Sequence, residues 1–252
     1  MSRGDGTNSP TGNGEYWLLR AVLASAKTRQ KLFDVGANQG DWCLEATKYL
    51  PPNSQVTLHA FEPCAGTRQI LSARVGGKSG ISIYPYALCE RNGIASFYSG
   101  AAGLGTNSLS KESGAIVEEV ILKTLDDFLV ESQTSDVRMV KIDTEGHDCL
   151  VLEGASESLR LGRIEVLQFE YNWRWLTNRR SLKDVFELIK GKPYRLGKLR
   201  ANSIDFYDAW HFELDRFFEN NYVLIRNDSD LIRLGRQMTF ATANVAVRAS
   251  AS

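Results

Sequence analysis

The densest group of residues able to do chemistry is Asp143-Thr-Glu145-Gly-His147-Asp148. It follows Met139-Val-Lys-Ile142, which reads as a strand, and Gly146 supplies a turn, so carboxylates and an imidazole gather where a strand gives way to a helix. That is the carboxyl edge where α/β sheets bind ligands. A histidine among carboxylates there is equipped to take a proton from a weak nucleophile. His147 is the first candidate for that base, with Glu145 or Asp148 orienting its ring and Asp143 positioning a ligand. A histidine at a turn can equally cap the helix or bond the backbone. A second group, Glu170, Asn172 and Trp173, follows the next apolar run and is a candidate acceptor-binding set. Asp143, Glu170 and Asn172 together would also offer three oxygen ligands to a hard cation such as Mg²⁺.

A third signal is Lys31-Leu-Phe-Asp-Val-Gly-Ala-Asn-Gln-Gly40, a buried strand running into a glycine turn and a helix. The glycines permit positive φ and let a ligand approach the backbone, and the helix start presents unpaired N–H groups. Dinucleotide sites use G-x-G-x-x-G to cradle a pyrophosphate. Here three residues separate Gly36 from Gly40, and Asp34 would repel an anion and suits a cationic aminoacyl group. Glu62 ends the second strand, one βαβ unit later, where an acid can accept hydrogen bonds from ribose hydroxyls. Together these features favour S-adenosylmethionine over NAD. Taken singly, Asp34 could be an acid capping a turn and Glu62 a solvated strand end.

Around these groups, short apolar runs alternate with helical patterns, the signature of an α/β fold with a mainly parallel sheet. Strands are expected at 31–35, 56–61, 81–85, 139–143, 164–170 and 222–226, and helices at 41–50, 65–74, 125–132, 147–159 and 182–190. Residues 1–14 read as a disordered leader and 15–28 as an amphipathic helix. The single domain expected over 15–226 carries an inserted hairpin at 94–122, whose loop 103–109 suits a lid, and an aromatic-rich, irregular cover at 191–221. Residues 227–252 read as a polar tail.

Composition sets the outer limits. The 252 residues carry 30 Lys+Arg against 30 Asp+Glu and are 43% hydrophobic, enough for a core and without the excess positive charge of a nucleic-acid binder. Cys43, Cys64, Cys89 and Cys149 are scattered, which argues against a zinc site or a disulfide framework. No apolar run reaches the roughly 18 residues of a membrane span. Arg20 interrupts the apolar stretch at 18–26, so a signal peptide is not read there. The simplest compartment is the cytoplasm. The composition says nothing of oligomeric state.

Four blocks in order, FDVGANQG (33–40), FEP (61–63), VKIDTEGHD (140–148) with VLEGA (151–155), and QFEYN (168–172), resemble the FkbM-type S-adenosylmethionine-dependent methyltransferases. TLDDF (124–128) and NYVLIR (221–226) extend the resemblance to about 31–226. It implies a Rossmann-like class I methyltransferase fold and O-methylation of a hydroxyl on a sugar, glycolipid or natural product. Asp34, Gly36, Asn38, Gly40, Glu62 and Asp143 would lie on the cofactor, with Tyr86 and Ala87 near the adenine. Tyr86 stands where the family often has a small polar residue. The Asp143, Glu170, Asn172 layout is similar to that of magnesium-dependent catechol O-methyltransferases.

Two readings from other classes stand beside this one. A nicotinamide oxidoreductase would need a different glycine spacing. A silent S-adenosylmethionine-binding module would keep Asp34 and Glu62 but lack Asp143, Glu145 and His147. The expected partner is a small-molecule or glycan acceptor.

Overall fold

The computed structural model of the protein describes residues 9–25, 29–50, 55–99 and 116–249. In chain order, α1 (Glu15–Ala24) leads into β1 (Arg29–Val35), α2 (Asp41–Lys48), β2 (Gln55–Phe61), α3 (Ala65–Val75) and β3 (Ile81–Tyr84). Three strands follow, β4 (Tyr86–Leu88), β5 (Gly93–Ser99) and β6 (Ile116–Lys123), and then α4 (Leu125–Glu131) and β7 (Val137–Ile142). Next come α5 (Asp148–Glu153), α6 (Ser156–Arg160), β8 (Ile164–Tyr171) and α7 (Leu182–Ile189). The chain closes with β9 (Tyr194–Arg200), β10 (Ser203–Tyr207), β11 (Asn220–Arg226), β12 (Gly235–Phe240) and β13 (Ala246–Arg248).

The main sheet has the order β13-β12-β10-β9-β11-β8-β7-β1-β2-β3. Strands β3, β2, β1, β7 and β8 are parallel, and β11 joins antiparallel to β8. The order reverses between β1 and β7, which opens a ligand crevice at their carboxyl ends. Helices cover both faces, so β7 is buried at every position and its sequence is a near-continuous apolar run. Period-two alternation still sorts the side chains. Leu32, Met139 and Val166 meet Leu18, Leu19 and Val22 of α1, while Phe33, Val140 and Leu167 meet α4 to α7 on the other side.

Several expectations need correction. Residues 191–221 are not an irregular cover: β9 and β10 form an antiparallel hairpin inside the main sheet. Gly197 breaks the apolar pattern because a Cβ there would stand 2.3 Å from Ile204 Cγ2 across the hairpin. The segment read as a polar tail contributes β12, which pairs with β10, and β13 beyond it. The helix expected over 147–159 is two helices, since the Asp126 carboxylate accepts from Glu157 N and Ser158 N (2.9 and 2.7 Å) and starts α6 afresh. The chain leaves the main sheet at Pro85, which has no N–H to donate. β4, β5 and β6 then make a separate three-stranded sheet containing the expected 94–122 hairpin. The proposed lid at 103–109 lies outside the described residues.

Candidate active site

The β1–α2 turn is built on positive φ at Gly36 (77°), Asn38 (46°) and Gly40 (84°). Gly36 is forced by close approach, because a Cβ there would lie 1.9 Å from the Asp143 carbonyl oxygen. Glu62 clamps the turn. Its two carboxylate oxygens accept from Asn38 N (2.9 Å) and Cys64 N (3.0 Å), and burial pushes its pKa up to about 7.

Val35, Gly36, Asn38, Glu62, Tyr86, Ala87, Asp143, Glu145 and His147 line one cleft above the crevice. Asp34 lies beneath its floor, fully buried, with Cys43 Sγ donating to Oδ2 at 3.3 Å. Gly40 caps α2, where a Cβ would strike Leu71, and stands outside the lining. The sequence reading missed the charge at the centre, Lys141 on β7, whose Nζ lies 3.3 Å from both Asp34 Oδ1 and Asp143 Oδ2. Burial pulls Lys141 toward the neutral amine, but Asp34, Asp143 and Glu15 outweigh it and hold the ammonium. Burial raises Asp34 against the pull of Lys141. A lysine two residues before an acid, inside an apolar strand, was the available signal. Glu15 and Tyr16 of α1, with Pro10, complete one wall. They too were unforeseen: Pro10 falls in the leader expected over 1–14, and Glu15 and Tyr16 in the helix expected over 15–28.

The β7–α5 turn carries the remaining candidates. Glu145 sits at φ 54° and pairs with Arg174 (2.9 Å). Burial, reinforced by Asp143, raises its pKa to about 7. His147 precedes α5 and is 6% exposed. Burial lowers its pKa against a backbone hydrogen bond with Thr144, so the ring is neutral, and Nδ1 is buried with no partner among the described residues. The expected orientation of His147 by Glu145 or Asp148 is corrected by the geometry. Glu145 turns to Arg174, and Asp148 accepts from Thr144 Oγ1 (3.0 Å) and Glu170 N (3.0 Å), stapling the turn to β8.

Glu170, Asn172 and Trp173 do not line the cleft. Asn172 Oδ1 accepts from Arg174 N (2.9 Å) and its Nδ2 donates to Glu170 Oε2 (2.6 Å), which makes it the cap of a short 3₁₀ helix, Trp173–Asn178. Glu170 hydrogen-bonds Glu219, and burial followed by Asp143 drives the pKa of Glu170 up to about 10. The set Asp143, Glu170 and Asn172 does not fit Mg²⁺, because the Asn172 oxygen is turned to Arg174 N, Glu170 to the Asn172 amide and Glu219, and Asp143 to the Lys141 ammonium. No group of three or more His, Cys, Asp or Glu among the described residues could hold a metal. Trp175 is core, with Nε1 donating to Glu170 O (3.0 Å), whereas Trp173 is 58% exposed with the Arg174 guanidinium 5.2 Å from its ring centre. His59 and His211 are structural: His59 stacks on Tyr84, and His211 Nδ1 accepts from Glu213 N (3.2 Å). No helix among the described residues is long and apolar enough to cross a membrane.

Comparison with known proteins adds the family. Over 152 residues the chain is 33% identical to the hexuronic acid methyltransferase AglP of Haloferax volcanii, a match covering 58% of this chain and 59% of that protein. Among solved structures, a methyltransferase FkbM from Methylobacillus flagellatus KT aligns at TM-score 0.46 and 15% identity, over 79% of this chain and 45% of that one. The O-methyltransferase TomG from Streptomyces achromogenes aligns at TM-score 0.48 and 11% identity, over 88% and 82%. The methyltransferase FkbM domain matches residues 34–196, from the Asp34 turn through the crevice strands into β9, and the chain belongs to that family.

Proposed function

We propose that the protein is an S-adenosylmethionine-dependent O-methyltransferase acting on a hydroxyl of a sugar, glycolipid or natural-product acceptor. The observation that carries this reading is the charge of the cleft. Glu15, Asp41, Glu62, Asp143 and Glu145 supply carboxylates to its lining, and Lys141 is the cation facing them. Such a wall attracts a sulfonium and an α-ammonium and repels the pyrophosphate of a dinucleotide. The same observation disfavours the oxidoreductase reading.

When bound, S-adenosylmethionine supplies an electrophilic methyl group. Gly36 and Asn38 present backbone to it, Glu62 holds their turn and keeps free lone pairs for ribose hydroxyls, and Tyr86 and Ala87 form the adenine side. Lys141 holds Asp143 in place. The acceptor's hydroxyl proton passes to Glu145, which lines the cleft, has a pKa of about 7 near working pH and is held by Arg174. His147 is the second reading for this base, supported by its neutral ring in the same lining. The exposed Trp173 face beside Arg174 suits a sugar ring, and the name of the Haloferax relative points to sugar acids. Residence in the cytoplasm belongs to this proposal and agrees with four free, buried cysteines.

Glu145→Gln should lower turnover by roughly 10²- to 10⁴-fold while leaving S-adenosylhomocysteine affinity intact. Turnover of the unaltered protein should rise with pH through about 7, and the variant should lose that limb. If Glu145→Gln turns over normally and His147→Ala does not, the base is His147. Wild-type protein that binds cofactor yet transfers no methyl to any hydroxylated sugar would favour a silent binding module.

A further inference from the structure

The start of α1 is built into the cleft more firmly than a helix that merely covers a sheet. Gly14 adopts φ +94°, and a Cβ there would fall 2.1 Å from the Arg200 carbonyl oxygen, so the helix is seated directly on β9. Asn13 Oδ1 accepts from Glu15 N at 3.0 Å, fixing the first turn. Glu15 is thereby turned inward and is only 7% exposed, although it lines the cleft. Gln168 of β8 donates from Nε2 to Glu15 Oε2 (3.2 Å) and to Asn221 Oδ1 (3.2 Å). Burial is the main cause that raises the pKa of Glu15, opposed by the charge of Lys141 and reinforced by those of Asp143 and Asp34.

Beneath the floor of the cleft, acceptors are in excess. Gln168 Oε1 is buried without a hydrogen-bond donor among the described residues. Asp34 Oδ1 has the Lys141 ammonium at 3.3 Å and no conventional hydrogen bond beside it among the described residues. The Lys141 ammonium lies 3.3 Å from Asp34 Oδ1 and from Asp143 Oδ2, and among the described residues no ion pair reaches Glu15. Buried acceptors without donors are costly, and a buried acid lacking a counter-charge keeps its proton. Burial accordingly raises the Glu15 pKa to about 7.

We infer that Glu15 is a cofactor-binding residue that takes the α-ammonium of the methionine moiety, making α1 part of the cofactor site. The ammonium supplies the donor and the counter-charge that Glu15, the member of this group that lines the cleft, lacks. On this account the cofactor displaces a proton from Glu15, so binding near pH 6.5 releases a proton and tightens as pH rises toward 7.5. The inference rests on the S-adenosylmethionine reading of the cleft, and its test separates the two.

Calorimetry would compare S-adenosylhomocysteine, its analogue without the α-amino group, and 5′-methylthioadenosine, which lacks the amino-acid part, in buffers of differing ionisation enthalpy. The unaltered protein should bind S-adenosylhomocysteine more tightly than the desamino analogue and release a proton with the former. Glu15→Gln should weaken S-adenosylhomocysteine roughly ten- to hundredfold, as expected for a charge-assisted hydrogen bond, and abolish the proton release. Unchanged 5′-methylthioadenosine affinity would show that the variant is folded. Equal affinity of the two proteins for S-adenosylhomocysteine would overturn the inference. So would equal affinity of the unaltered protein for S-adenosylhomocysteine and its desamino analogue, a result that needs no variant. Failure of the unaltered protein to bind any of the three would overturn the cofactor reading itself.

Discussion

A Gly36→Ala substitution would put a methyl group 1.9 Å from the carbonyl oxygen of Asp143 in a backbone conformation of φ +77°. Two costs combine. The left-handed conformation costs an L-residue about 1–2 kcal/mol, and forcing apart two packed segments costs about 1–3 kcal/mol more. Neither segment has room to move independently, because Asp143 N donates to Val35 O at 3.0 Å and Gly36 N donates to Phe61 O at 3.0 Å. For a protein of this size the sum, about 2–5 kcal/mol, corresponds to a melting temperature lower by roughly 4–20 °C. Gly77 provides the control: it has φ +87°, yet a Cβ there meets nothing within 4 Å. Gly77→Ala should cost about 1–2 kcal/mol, or roughly 2–8 °C, from conformation by itself. Scanning calorimetry on both variants isolates the contact, and titration with S-adenosylhomocysteine reads its effect on the cleft, where Gly36→Ala should weaken binding and Gly77→Ala should not. Equal melting temperatures, with cofactor affinity retained in both, would refute the close-approach argument.

Three further outcomes follow from the buried charges and aromatics. Glu15, Glu62 and Glu145 all have folded pKa values raised to about 7 from 4.5, so they bind more protons folded than unfolded. The stability each contributes is fully present below 4.5 and lost as pH rises through about 7, so the cofactor-free protein should melt lower at pH 8 than at pH 6.5 in matched ionic strength. Saturating S-adenosylhomocysteine should shrink that difference, since a bound cation lets Glu15 ionise without penalty. Trp175→Ala should destabilise by about 3–5 kcal/mol, because the ring is fully buried, while Trp173→Ala should leave the melting temperature nearly unchanged and raise the KM of a sugar acceptor.

How much of this was legible beforehand depended on whether the relevant physics is local. The strand, turn and helix around Asp34, Gly36 and Gly40 could be read from neighbouring residues, because strand period, glycine conformation and helix starts are properties of a few consecutive positions. The assembly of Glu62, Tyr86, Asp143 and His147 around one cleft followed from the βαβ topology and from family resemblance. By contrast, β9 and β10 escaped notice because Gly197 makes sense only against Ile204 and Phe206 across the hairpin. The break between α5 and α6 depends on Asp126, from a different helix.

The sequence by itself determined the α/β class, the glycine turn after β1, and the meeting of Glu62, Asp143, Glu145 and His147 at the sheet edge. Tertiary structure decided what those groups could do. Whether Glu145 orients His147 or pairs with Arg174, whether Asn172 is free to bind or spent as a cap, and whether Glu15 covers the sheet or enters the site are questions of partner and burial. A residue's type sets its possible chemistry, but its charge state and free lone pairs are set by neighbours brought in from distant parts of the chain.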